Sequence, residues 1–396
     1  MRIYVIFGLL FFQTLSAYSQ SLSSIQFIEP EVKFGKIVPT NTFIPKTHIQ
    51  QRFGLNIGKL NLGGNDSWQS FYNYPNTGIT LEYAKLGLDS MFGNAVSVLP
   101  YIEFRLGQKI PKSFSFHISL GASYFDTPFD SITNPTNKAV GSHVTWAFQL
   151  FGYQNIYTNN RLILRLGGGY MHNSNGHTKL PNFGLNSAAL SLSAQFLHAQ
   201  SEVSILEELP NHPSNLSRNF GLEFRQGLGF QAFGGTAAPI GGNIRQVFSS
   251  ELSVSVFFRR YFKFYGGFAF RYYQNFYDYL IENQINKLSN RPKLNASSFY
   301  FFLGTEFLIG HVGLDIQGGL TIFKPFYKKF DSVYQHSKPF DYWLKYLFPS
   351  RMGLKFYLFN TQYLPKNNVW TGAHIAANFG EADFTEISFG FVHILK

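Results

Sequence analysis

Phe116-His117-Ile118-Ser119-Leu120-Gly121-Ala122-Ser123-Tyr124 carries an apolar residue at every even position and a small or polar one at every odd position. Successive side chains of a β-strand point to opposite faces, so this period of two describes a strand with one apolar face. The pattern returns at Ile102/Phe104/Leu106 against Glu103/Arg105, and at Leu222/Phe224/Leu228/Phe230 against Glu223/Arg225. It returns again at Leu314/Ile316/Leu320/Ile322 against Asp315/Gln317/Thr321, and in the C-terminal run from Ile387 to Leu395. Candidate strands number about eight between Gln26 and Ala199, with roughly six to eight more between Asn219 and Ile394.

Alternation alone also suits a soluble β-sandwich, whose apolar faces would be buried against each other. Three features favour a transmembrane barrel instead. The N-terminus runs Met1-Arg2-Ile3-Tyr4-Val5-Ile6-Phe7-Gly8-Leu9-Leu10-Phe11-Phe12 and then the small residues of Ala17-Tyr18-Ser19-Gln20, which reads as a signal peptide (1–19) cleaved after Ser19 or Gln20. Many strands exceed the globular mean of about 5–6 residues. Aromatics stand near expected strand ends at Tyr101, Tyr124 and Tyr170.

The chain holds 45 Phe and 23 Tyr yet only 14% charged residues, and its mean hydropathy is −0.07. So many aromatics at average hydropathy means that apolar residues are interleaved with polar ones, not gathered into the ~18-residue runs of spanning helices. The expected fold is all-β: a closed antiparallel transmembrane barrel of about 14 strands, within roughly 12 to 16, because such barrels have even strand numbers. No linker or compositional break divides the chain, so 20–396 is read as one barrel, with both chain ends at the same mouth. The short connection 158–161 and the longer ones at 126–141 and 175–185 place the latter at the outer mouth; the long stretch 61–77 fits this scheme poorly. An exported barrel of this kind belongs in an outer membrane.

There are no cysteines, which removes disulfides, thiolate metal sites and a cysteine nucleophile. His172 and His177 are five apart with no carboxylate between them, so no metal site is expected. No nucleotide-binding loop or G-x-S-x-G elbow is present, and no cofactor is expected. The net charge of +11 suits anionic lipid head groups; its scattered positive residues and the export signal argue against nucleic acid.

Chemistry concentrates in one segment, His172-Asn173-Ser174-Asn175-Gly176-His177-Thr178-Lys179-Leu180-Pro181-Asn182-Phe183-Gly184-Leu185-Asn186-Ser187. His172 and Ser174 continue the even, apolar face that begins with Leu162, Leu164 and Leu166; Asn186 falls on the apolar face of the following strand with Ala188, Leu190 and Leu192. A hairpin closed by 175–185 would gather the three on the lipid-facing wall. Residues two apart on a strand lie roughly 6.5–7 Å apart on one side, within reach of an imidazole leaning over. Ser174 is then a candidate nucleophile with His172 as base, since serine needs such a partner, and Asn186 a candidate to orient the ring. Lys179 could meet a phosphate.

The run His172-x-Ser174-Asn175-Gly176 followed by Pro181-Asn182-x-Gly184-x-Asn186 resembles the active-site signature of the PagL-like lipid A 3-O-deacylases, also called acyloxyacyl hydrolases. The resemblance covers 172–187 well and extends loosely over 26–199. It implies a compact outer-membrane barrel with a His/Ser/Glu triad on its outer wall, acting on lipid A of lipopolysaccharide. It further implies His172 as base, Ser174 as nucleophile, and Asn175, Gly176 and Asn182 as oxyanion or substrate contacts. This sequence departs from the pattern at Asn186, where the family has glutamate, and residues 200–396 exceed the family barrel, adding further strands on this reading. The competing expectation is a non-catalytic barrel, porin-like or structural, with a degenerate motif.

Overall fold

The computed structural model describes residues 24–39, 44–63, 67–107, 109–198, 218–238 and 244–395. The expected signal peptide lies outside the described residues. Sixteen strands occur among them: β1 (Ser24–Ile37), β2 (Gln50–Asn61), β3 (Asn76–Lys85), β4 (Asn94–Leu106), β5 (Phe114–Phe125), β6 (Val144–Thr158), β7 (Leu162–Ser174), β8 (Leu185–Leu197), β9 (Arg218–Ala232), β10 (Ile244–Phe258), β11 (Phe262–Tyr273), β12 (Ser297–Ile309), β13 (Val312–Phe323), β14 (Pro349–Tyr357), β15 (Asn367–Asn378) and β16 (Glu381–Leu395).

They form two closed antiparallel barrels of eight strands each, which corrects the expectation of a single barrel of about 14. The first closes where β1 pairs with β8, Val32 opposite Leu192 and Phe34 opposite Leu190. The second closes where β16 pairs with β9, Ile387 opposite Leu228 and Phe391 opposite Phe224. Alternation specifies which face of a strand is apolar but says nothing about which distant strand shuts the sheet. Closure depends on a non-local pairing that a period of two does not encode.

The outer walls are apolar and the lumens polar, the inverse of a sandwich. Leu190 on the first barrel is 69% exposed and Phe389 on the second 65%, whereas Glu29, Lys33, Glu306 and Asp315 point inward and are almost wholly buried. An eight-stranded barrel is just wide enough for side chains to fill it, and here the filling is ionic. In the first lumen Arg165 joins Glu29 (3.1 Å) and Glu103 (2.7 Å), while Lys33 and Arg52 both reach Glu82 at 2.8 Å. In the second, Lys355 bridges Glu223 and Glu306 at 3.0 Å each, and Arg351 meets Asp315 at 3.2 Å. A buried charge is tolerable only when paired and hydrogen-bonded, which explains why acidic and basic residues share the inward faces. Tyr101, read as a strand-end aromatic, instead turns into the first lumen and stacks on His117 with ring centroids 4.4 Å apart.

Strand order places the start of β1 and the ends of β8 and β16 at one mouth of each barrel, and the 175–184 connection at the other. The long stretch between β2 and β3, awkward on length alone, has a packing reason. It contains a short helix, α1 (Ser67–Phe71), after which the Tyr72 hydroxyl donates to the Tyr261 carbonyl of the second barrel. Phe71 packs on Tyr261 at 5.3 Å and Tyr72 on Phe307 at 6.4 Å between ring centroids. This stretch is therefore a brace between the barrels at the mouth opposite the 175–184 loop.

Candidate active site

β7 and β8 form the anticipated hairpin, joined by residues 175–184, and their register sets His172 directly across from Asn186. His172, Ser174 and Asn186 lie on the outward face, as their parity requires. The Asn186 side-chain oxygen accepts from His172 Nδ1 at 2.5 Å and from the Tyr170 hydroxyl at 2.5 Å. An amide oxygen can only accept, so His172 carries its proton on Nδ1 and leaves the Nε2 lone pair free to act as a base. Tyr170, which the sequence marked only as a strand-end aromatic, thus helps fix the orienting residue; its signal was its place on the same face, two residues before His172.

Ser174 sits at the end of β7, buried, opposite Trp146 on β6. Its Oγ accepts from Asn182 Nδ2 at 2.9 Å and from the Gly176 amide at 3.2 Å. Among the described residues, His172 and Ser174 share no hydrogen bond, so the proximity inferred from two-residue spacing is met along the strand but not by direct contact. Instead, two donors from the loop hold the hydroxyl oxygen and set its orientation. Catalytic hydrogen bonds are often long or misaligned before substrate arrives.

The loop itself is tied by its asparagines. The Asn182 side-chain oxygen accepts from the Asn175 amide at 3.2 Å, and Asn175 Nδ2 donates to the Lys179 carbonyl at 2.8 Å. Asn175 thus braces the loop, while Asn182 and Gly176 aim donors at the Ser174 hydroxyl. Lys179 is exposed at the loop tip, where its charge acts on Asp130 of the 126–143 connection. That connection packs against the loop from one side, with the Gly184 amide donating to Ala139 at 3.0 Å. His177 is buried on the other side; burial holds its imidazole below the ordinary range, and the neutral ring donates from Nε2 to the Gly234 carbonyl at 3.0 Å.

Gly184 has φ +75°, and a Cβ built there would lie 2.8 Å from His172 Cε1 and 3.2 Å from the Asn173 carbonyl. A side chain would strain the backbone and push the imidazole off Asn186. Gly184→Ala is expected to lower kcat of the hydrolysis proposed below by about 10²-fold, since a misplacement of about 1 Å costs that much. Steady-state kinetics on a variant with wild-type heat-modifiable gel mobility checks this; unchanged kcat would show that Gly184 does not set the ring.

Fold and site together define a membrane-type β-barrel protein with a Ser/His/Asn cluster on the outward face of its first barrel. Residues 56–195, within that barrel, match the family model described as lipid A 3-O-deacylase (PagL), so the first barrel is PagL-like over the segment that holds all the motif residues. Among solved structures, the outer membrane enzyme PagL aligns at 15% identity, covering 42% of this chain and 97% of that one with a TM-score of 0.32. CdiB from Acinetobacter baumannii aligns at 10% identity over 93% of this chain and 60% of that one, TM-score 0.17. A TodX monoaromatic hydrocarbon channel aligns at 8% over 94% and 90%, TM-score 0.19. No curated protein matches the chain.

Proposed function

We propose that the first barrel is an outer-membrane hydrolase that removes an ester-linked acyl chain from lipid A or a related envelope lipid, with Ser174 as nucleophile and His172 as base. The observation that carries this reading is the pair of hydrogen bonds to the Asn186 oxygen, which leaves His172 Nε2 unprotonated on the face that holds Ser174. The family match over 56–195 supports lipid A as the substrate class and the outer membrane as the location. On this reading the start of β1 and the end of β16 lie on the periplasmic side and the 175–184 loop at the outer leaflet.

The chemistry follows from the contacts. Ser174 Oγ rotates from Asn182 and Gly176 toward His172, gives its proton to Nε2 and attacks the ester carbonyl carbon. The two donors it vacates, Asn182 Nδ2 and the Gly176 amide, then receive the carbonyl oxygen as it gains negative charge. The acyl C–O bond breaks, the leaving alkoxide takes the proton from Nε2, and water admitted next hydrolyses the acyl-serine to release a fatty acid. On this reading Lys179, exposed in the same loop, meets a head-group phosphate. The porin-like alternative draws little support from lumens filled by paired charges.

Mass spectrometry of lipid A from cells with and without the protein tests the reading. Loss of one ester-linked acyl chain, accompanied by free fatty acid, is the expected result. Identical lipid profiles, with the protein folded in the membrane, would overturn it.

A further inference from the structure

The 175–184 loop is held by two barrels. On the side away from the 126–143 connection it meets the second barrel through backbone and side-chain hydrogen bonds. The Asn182 amide donates to the Thr236 carbonyl at 2.8 Å, the Ala232 amide donates to the His177 carbonyl at 2.8 Å, and His177 Nε2 donates to Gly234. Thr385, on the outer wall of β16, accepts from Trp146 Nε1 at 3.2 Å and shares its own proton between the carbonyls of Asn175 and Gly176 at 3.4 Å each. The approach is close enough to need glycine: at Gly176, φ +63°, a Cβ would stand 2.1 Å from Thr385 Oγ1 and 3.7 Å from Ile375.

These contacts converge on the groups that touch Ser174. Asn182 donates to Ser174 from its side chain and to the second barrel from its backbone. Gly176 donates to Ser174 from its amide, while its carbonyl faces Thr385. We propose that the second barrel is a built-in positioning partner of the hydrolase site, with Thr385 as the positioning residue that holds the Asn175–Gly176 turn so that the Gly176 amide and Asn182 stay aimed at the reacting centre. The inference rests on the hydrolase reading above. A ten-residue loop on a single eight-stranded wall would carry its donors on flexible backbone; ties from a second rigid body fix them before substrate arrives, which is what oxyanion stabilisation requires.

The test uses the full-length chain in detergent micelles with a medium-chain nitrophenyl ester, read alongside labelling of Ser174 by a fluorophosphonate and amide hydrogen exchange across 175–184. Thr385→Val keeps the shape and removes the hydroxyl; it is expected to lower kcat and the labelling rate about tenfold with KM unchanged, and to speed exchange in the loop. Thr385→Ser restores the hydroxyl and is expected to restore all three. Wild-type kcat and wild-type exchange in folded Thr385→Val would overturn the proposal while leaving the hydrolase reading intact. A wild-type chain that neither labels nor hydrolyses would overturn the hydrolase reading instead, and exchange in 175–184 would then decide alone whether Thr385 holds the loop.

Discussion

Ser174→Ala is expected to remove nearly all deacylation, by about 10⁴-fold or more, and His172→Ala to do the same, with the double variant no slower than either single one. In the proposed mechanism the two residues act as one unit: without the base the serine hydroxyl is a poor nucleophile, and without the nucleophile the base has no proton to take. Both side chains lie on the outer wall, away from the ion pairs that fill the lumen, so each variant should keep its heat-modifiable gel mobility. Residual activity would then report only the donors at Gly176 and Asn182. Full activity in a folded Ser174→Ala variant would sink the serine mechanism, whatever became of lipid A in cells.

The second large effect is at Asn186. Asn186→Leu removes the acceptor for His172 Nδ1 and is expected to cost about 10²- to 10⁴-fold in kcat, because the ring loses both its orientation and its productive tautomer. Asn186→Glu is expected to do the opposite. The glutamate would still accept from His172 and from Tyr170, as the amide oxygen does now, and would set a negative charge beside the imidazolium that forms in the transition state. A gain of about tenfold, 1.4 kcal/mol at one decade per 1.36 kcal/mol, is expected in kcat at neutral pH. Unchanged or lower activity in well-folded Asn186→Glu would mean that another group orients His172. The Leu and Glu variants together separate orientation from charge, since only the second adds a charge.

The site was legible in the sequence to the extent that it is local. Parity along β7 and β8 is a property of consecutive residues, so placing His172, Ser174 and Asn186 on one outward face needed nothing more than counting in twos. That the β7–β8 hairpin brings the three residues near one another was also legible, but the register that sets His172 directly across from Asn186 is fixed by how the ten-residue connection folds. Tyr170 was visible on that same face, but its hydroxyl's choice of Asn186 depended on side-chain geometry. The state of the serine was not legible: spacing brings His172 near Ser174, yet whether Oγ turns to the imidazole or to Asn182 and Gly176 is settled by how a ten-residue loop folds back, and loop conformation has no period to read.

What the sequence by itself determined is the material of the protein: strands with one apolar and one charged face, the even strand total's approximate size, and a motif at a strand end that resembles a lipid A deacylase signature. These rest on interactions between residues a few positions apart, or on composition. What only the tertiary structure decided is how that material is partitioned. Whether β8 pairs back to β1 or runs on to β9 is a choice among distant backbone partners with equally good alternation, and the answer, two barrels in place of one, turned the second half of the chain from extra wall into a neighbour. Thr385 and Thr236 reach the loop around Ser174 from more than fifty residues away in sequence only because two closed surfaces pack side by side. No pattern in either segment announces that contact, since packing between rigid bodies is fixed by shape and by the donors each surface leaves unpaired.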